Sequence, residues 1–223
     1  MRAFAIVAAV AALASNDASR FAGAYVPGGA IETARLSTGA LVAVADRALG
    51  LDRSWGSSLL YLPAGASDAH QPIELCDRVF YASRPLPLPS GEVAVERGVA
   101  GAVVPGRVRV DELTIDVVMA SGPRPHAART LLSTTGFEAH LAALAGDEIV
   151  VYLVQPNISS LRAVDWRTGR QRVILPSLPP YAHDFSVDNG ALLVHNRDAL
   201  HRERETIDRI DLADGTVTRL ETR

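Results

Sequence analysis

The sequence predicts an all-β protein of repeated four-stranded units. Three observations predict it: glycines recur at near-regular spacing, short apolar runs of strand length lie beside them, and the glycine and proline density suits many short elements. The 223 residues include 17 Gly and 13 Pro, which favours strands and turns over a few long helices. With 48% of positions hydrophobic and 21% charged, a chain of this length can bury a core.

The repeat is plainest near the end of the chain. Asp165-Trp166-Arg167-Thr168-Gly169 and Asp211-Leu212-Ala213-Asp214-Gly215 align without a gap. Each follows one strand-like run, Leu161 to Val164 or Ile207 to Ile210, and precedes another, which reads as strand, tight glycine turn, strand. Their glycines lie 46 residues apart, and Gly122 lies 47 residues before Gly169. A second glycine opens an apolar run upstream of each turn: Gly39, Gly91, Gly146 and Gly190, spaced by 52, 55 and 44 residues. Four units follow, near 39–90, 91–145, 146–189 and 190–223, within one domain spanning 15–223. Repeats of about 40 to 55 residues with four strands each are the mark of propeller blades. One such unit cannot cover both of its own faces, so neighbours must stack.

The run Phe185-Ser186-Val187-Asp188-Asn189-Gly190-Ala191-Leu192-Leu193-Val194, continued by Ile207 to Asp211, Gly215 and Thr216 to Leu220, resembles the repeat of TolB-type bacterial propellers. The resemblance is good over 146–220, fair over 39–75 and poor over 76–145. It implies a β-propeller and says almost nothing about function. TolB-type propellers close with six blades and related ones with seven. Here four units are visible, and residues 3–38 offer a degenerate fifth. The expectation is therefore a ring of four or five blades, a partial propeller, or a ring completed by self-association.

Local signals refine this reading. Ala3 to Ser15, after Met1-Arg2, reads either as a secretory signal cleaved after Ala14 or as a first strand. The signal reading would place the protein in the periplasm or outside the cell, the strand reading in the cytoplasm. Phe137, Leu141 and Leu144 also fit an amphipathic helix stopped by Gly146, and strand is the preferred assignment. Pro85, Pro87 and Pro89 mark an irregular connection.

The inventory excludes several chemistries. All 22 basic residues are Arg, which removes lysine Schiff-base chemistry and a phosphate-loop lysine. Cys76 is the sole cysteine, so there is no intrachain disulfide or thiolate zinc cage, and it reads as a small core residue. A net charge of −3 without a basic block argues against nucleic acid. No 18-residue apolar segment follows the N-terminus, so no integral membrane segment is expected. The histidines, His70, His126, His140, His183, His195 and His201, show no metal-site spacing, and no GxSxG elbow accompanies Ser133 or Thr134. Neither cofactor nor metal is expected.

Candidate ligand-binding residues are Trp55, His183, Asp184 and His195. Trp55 sits in a loop of small and charged residues, where a large aromatic surface suits a ligand. His183-Asp184 precedes the strand opening the last unit, and a histidine beside an aspartate is what a general base would use. His195 opens the charged connection 196–205, which otherwise reads as a solvated loop. Asp111-Glu112 and Asp147-Glu148 lack calcium-loop spacing and read as solvated turn charges. Trp166 reads as strand-borne packing between units, and Asn157-Ile158-Ser159 fits a glycosylation acceptor. The expected function is a non-enzymatic module binding a protein or a small-molecule ligand, since no nucleophile, base and orienter assemble in the sequence. The alternatives are a hydrolase or lyase whose histidine and carboxylates converge only on folding, and a fragment of a larger propeller.

Overall fold

The computed structural model describes residues 17–25, 29–46, 57–67, 70–79, 83–104, 107–120, 129–135, 138–155, 158–178, 182–197 and 205–222. Within them, strands form four antiparallel four-stranded sheets, each laid down in chain order. The first holds β1 (Ile31–Arg35), β2 (Leu41–Asp46), β3 (Ser57–Leu62) and β4 (Ile73–Asp77). The second holds β5 (Leu86–Pro87), β6 (Glu92–Val104), β7 (Arg107–Met119) and β8 (Arg129–Thr135). The third holds β9 (Glu138–Ala145), β10 (Glu148–Val154), β11 (Ser159–Asp165) and β12 (Gln171–Leu178). The fourth holds β13 (Ala182–Asp188), β14 (Ala191–Arg197), β15 (Glu205–Asp211) and β16 (Val217–Thr222). The stretch 3–38 thus supplies β1, which completes the first sheet. The chain divides into two compact units, Met1–Thr130 and Leu131–Arg223.

The recurring glycines are the turns. Gly39, Gly91, Gly146 and Gly190 each join the first strand of a sheet to its second, and Gly65, Gly169 and Gly215 join a third strand to a fourth. All seven have positive φ, and Gly122 lies outside the described residues. Asn189 and Gly190, at φ 47° and 77°, form the two-residue turn whose twist matches that of the strands it joins. The two Asp-x-x-x-Gly turns share one bonding pattern. Gly169 N–H donates to the Asp165 carbonyl at 2.8 Å, and Gly215 N–H to the Asp211 carbonyl at 2.9 Å. The aspartate side chains accept turn N–H groups as well, from Arg167 and Thr168 in one case and Ala213 in the other.

In the first unit, Val42, Val44 and Leu59 of the first sheet pack with Val93, Val95 and Val118 of the second. The other face of the first sheet is closed by residues 17–25, wound by i to i+3 hydrogen bonds, with Phe21 fully buried among Leu41, Ala43, Leu60 and Leu62. Arg20 donates to the Ala66 carbonyl, and Arg35 lies 2.6 Å from Asp17, fastening this cover in place. Arg97 ties β6 to its surroundings, with Nη1 3.0 Å from Asp116 Oδ2 and Nε 3.2 Å from the Asp77 carbonyl. Thr130 donates to the other Asp116 oxygen at 2.8 Å, so this buried carboxylate is served on both oxygens.

In the second unit, Val150, Tyr152, Leu161 and Ile174 of the third sheet pack with Leu192, Val194 and Ile210 of the fourth. The Tyr152 and Phe185 ring centroids lie 5.3 Å apart. Residues Ile149 to Leu153 are buried without interruption, because a central strand covered on both faces has no solvent side to alternate towards.

Residues 138–145 are strand, as preferred, despite their helix-compatible spacing: sheet pairing with β10 satisfies the backbone and overrides local propensity. Two expectations are corrected. Pro87 lies within a strand, but a two-residue one at a sheet edge, the position where a missing N–H costs least. Trp166 is buried but stands in the turn after β11, with the Arg167 guanidinium 4.5 Å from its ring centroid. Among the described residues no helix is long and apolar enough to cross a membrane. The N-terminal segment 1–14 lies outside the described residues.

Candidate functional site

The first strands of the third and fourth sheets, β9 and β13, pack against one another. Both begin at the end of the sheets remote from the Gly146 and Gly190 turns, so their opening residues share one end of the second unit. At the start of β9, His140 Nε2 lies 3.0 Å from Glu138 Oε2. The two residues are two apart on a strand and so share a face. At the start of β13, Asp184 stands directly opposite His195 of β14, and His183 stands opposite Asn196. Directly opposed residues of an antiparallel pair project to the same face with Cβ atoms about 5 Å apart.

The sheet therefore brings Asp184 and His195 together, the first exposed and the second half-buried. His183 is placed by its backbone alone. Its register partner Asn196 belongs to a buried network, with Nδ2 donating to Asp208 Oδ2 at 2.8 Å. Asp208 also accepts from Arg219 Nε at 2.8 Å and Nη2 at 3.1 Å. Trp55 lies outside the described residues, as do Asn157 and most of the charged connection before β15. The His140–Glu138 pair was not singled out from the sequence. The signal was present, because a strand over 138–145 puts both on one face.

Other candidate groups are occupied or quiet. Asp147 Oδ2 lies 2.7 Å from Arg167 Nη1, and both Glu148 oxygens accept from Arg172, so both carboxylates are engaged by arginines. The Asp111 and Glu112 side chains lie outside the described residues. Burial pushes the Cys76 thiol up to about 11, against the opposing pull of Arg97, so it stays protonated and non-nucleophilic at neutral pH. Among the described residues no group of three or more His, Cys, Asp or Glu side chains is arranged to hold a metal.

What this end of the unit offers is a pair of histidine–carboxylate couples on β-strand backbones rather than on loops. Such couples can exchange protons or present hydrogen bonds to a partner.

No family model matches the sequence, and no curated protein matches it. Solved structures do. TolB from Acinetobacter baumannii is similar over 86% of this chain and 43% of its own, with a TM-score of 0.57 and 10% identity. A prolyl endopeptidase is similar over 86% of this chain and 28% of its own, with a TM-score of 0.54 and 12% identity. An oligogalacturonate lyase in complex with manganese is similar over 83% of this chain and 51% of its own, with a TM-score of 0.54 and 14% identity. The chain thus spans about half or less of the length of each. Identities this low carry the fold alone, and the four chain-ordered sheets agree with it: the chain has a β-propeller-type fold similar to that of TolB, with four four-stranded sheets among its described residues.

Proposed function

We propose that the chain is a non-catalytic binding module that engages a peptide segment of a partner protein at the end where β9 and β13 begin. One observation carries this reading: Glu138 and His140 of β9, Asp184 of β13 and His195 of β14 stand at one end of the second unit, two of them exposed, offering hydrogen-bond donors and acceptors. Polar groups held on rigid strands lose little freedom when a partner binds them. A prolyl oligopeptidase of which a quarter of the chain is similar to this one binds a 35-residue substrate, which makes a peptide a reasonable class of partner to test. A periplasmic or secreted setting fits the TolB-type fold.

A second reading, a hydrolase or lyase, is favoured by the opposition of Asp184 and His195. One experiment separates the two. Peptides selected from a random displayed library on the immobilised protein are expected to bind the Asp184→Ala/His195→Ala variant about tenfold or more weakly than the wild type. Equal binding to both sinks the proposal. Turnover of proline-containing fluorogenic peptides or of oligogalacturonate, lost in His195→Ala, would establish the enzyme instead.

A further inference from the structure

We propose that a cavity between the third and fourth sheets, at the turn end of the second unit, binds the carboxylate of an apolar acid. It is an open cleft of about 450 Å³, a volume within the range of small-ligand sites. Leu144, Val187 and Leu212 supply apolar lining, and Glu148 and Arg172 supply the polar wall. Val187 is 42% exposed, although Leu192 and Ile210, in the same cross-strand row, are fully buried. An apolar surface is thus left open beside the core.

The polar wall selects the ligand's head group. Arg172 donates from Nε to Glu148 Oε1 at 2.9 Å and from Nη2 to Oε2 at 2.6 Å. This two-point fork fixes the plane of the guanidinium, and both carboxylate oxygens are engaged. Among the described residues Arg172 Nη1 donates no hydrogen bond, so the capacity left over is that of a cationic donor. An acceptor with negative charge matches that donor. Gly146 and Gly190 stand at the lining with nothing within 4 Å of where a Cβ would be, which keeps the approach open. Two sources carry this chemistry: a free apolar acid, or the terminal carboxylate of a peptide ending in an apolar residue.

The test is titration calorimetry of the full chain with 4-phenylbutyrate, its amide, a pentapeptide ending in leucine, and that peptide amidated. At least one acid is expected to bind about tenfold more tightly than its amide. Arg172→Met should remove that preference. Ala213→Trp, at an exposed position on the cavity lining, should abolish binding while leaving the thermal midpoint near that of the wild type. Glu148→Gln should tighten acid binding severalfold, because it removes a neutralising charge and keeps an acceptor for Arg172. Binding by phenylbutyrate alone identifies a free acid, and binding by the peptide alone identifies a chain terminus. Equal binding of acids and amides, no binding at millimolar concentration, or weaker binding by Glu148→Gln overturns the proposal.

Discussion

Gly215 and the carbonyl oxygen of Ile174 stand so close that a Cβ at position 215 would overlap that oxygen. Gly215 closes the last turn of the fourth sheet, and Ile174 lies in β12, the edge strand of the third. The absent side chain lets one sheet seat its turn directly on the backbone of the next. Gly169, at the equivalent turn of the third sheet, has nearly the same φ, 75° against 77°, but nothing within 4 Å of where its Cβ would stand. Gly169→Ala should therefore cost only the left-handed backbone strain, about 1 kcal/mol. Gly215→Ala should add a steric collision and cost about 3 kcal/mol. Urea unfolding of the two variants checks this, and equal losses would show that the turn can move away from β12.

Asp116 is buried and held by Arg97 and Thr130. Asp116→Ala leaves the largely buried Arg97 without its strongest partner and should cost about 3 kcal/mol. An Arg97→Met/Asp116→Leu double variant should lose much less than the sum of the single losses, since the charges then leave together. A double-mutant cycle measured by chemical denaturation gives the coupling, and additivity would contradict it.

The Cys76 thiol, raised to about 11 by burial, ties stability to alkaline pH. A raised value in the folded chain means the unfolded chain loses its proton first. The contribution is complete below the unfolded value near 9 and is lost as pH rises towards about 11. The urea midpoint of the wild type should decline between those values more steeply than that of Cys76→Ala. At pH 8 the native thiol should react with an aromatic disulfide far more slowly than the thiol of the urea-unfolded chain.

Asp165 is held below the usual carboxylate range, first by the Thr168 backbone N–H and then by that of Arg167. A lowered value reverses the sign: the stabilisation is present above about pH 4 and is lost as pH falls through the folded value. On acidification the wild type should therefore lose its advantage over Asp165→Ala, and urea midpoints of the two should converge. Persistence of the gap at low pH would mean that the side chain acts through something other than its charge.

The repeat of glycine turns and apolar runs was legible because each turn is a local event. A positive φ between two strands favours glycine whatever lies elsewhere, and Gly39, Gly146, Gly169, Gly190 and Gly215 all mark such corners. Burial of Leu41 to Ala45 and of Ile149 to Leu153 was legible for the same reason, since a run without polar residues must be covered on both sides. His183, Asp184 and His195 could be nominated individually.

Their relation could not. Asp184 opposite His195, His140 on Glu138, and Arg172 clasped by Glu148 depend on register and on which sheets stack, and a shift of one residue would reverse every face. Sequence by itself determined the kind of element, the corners and the apolar cores of the sheets, because backbone sterics and solvent exclusion act within a few residues. Only the tertiary structure decided which charges meet, which face residues 17–25 cover and where a cavity stays open, because those outcomes depend on packing between segments far apart in the chain.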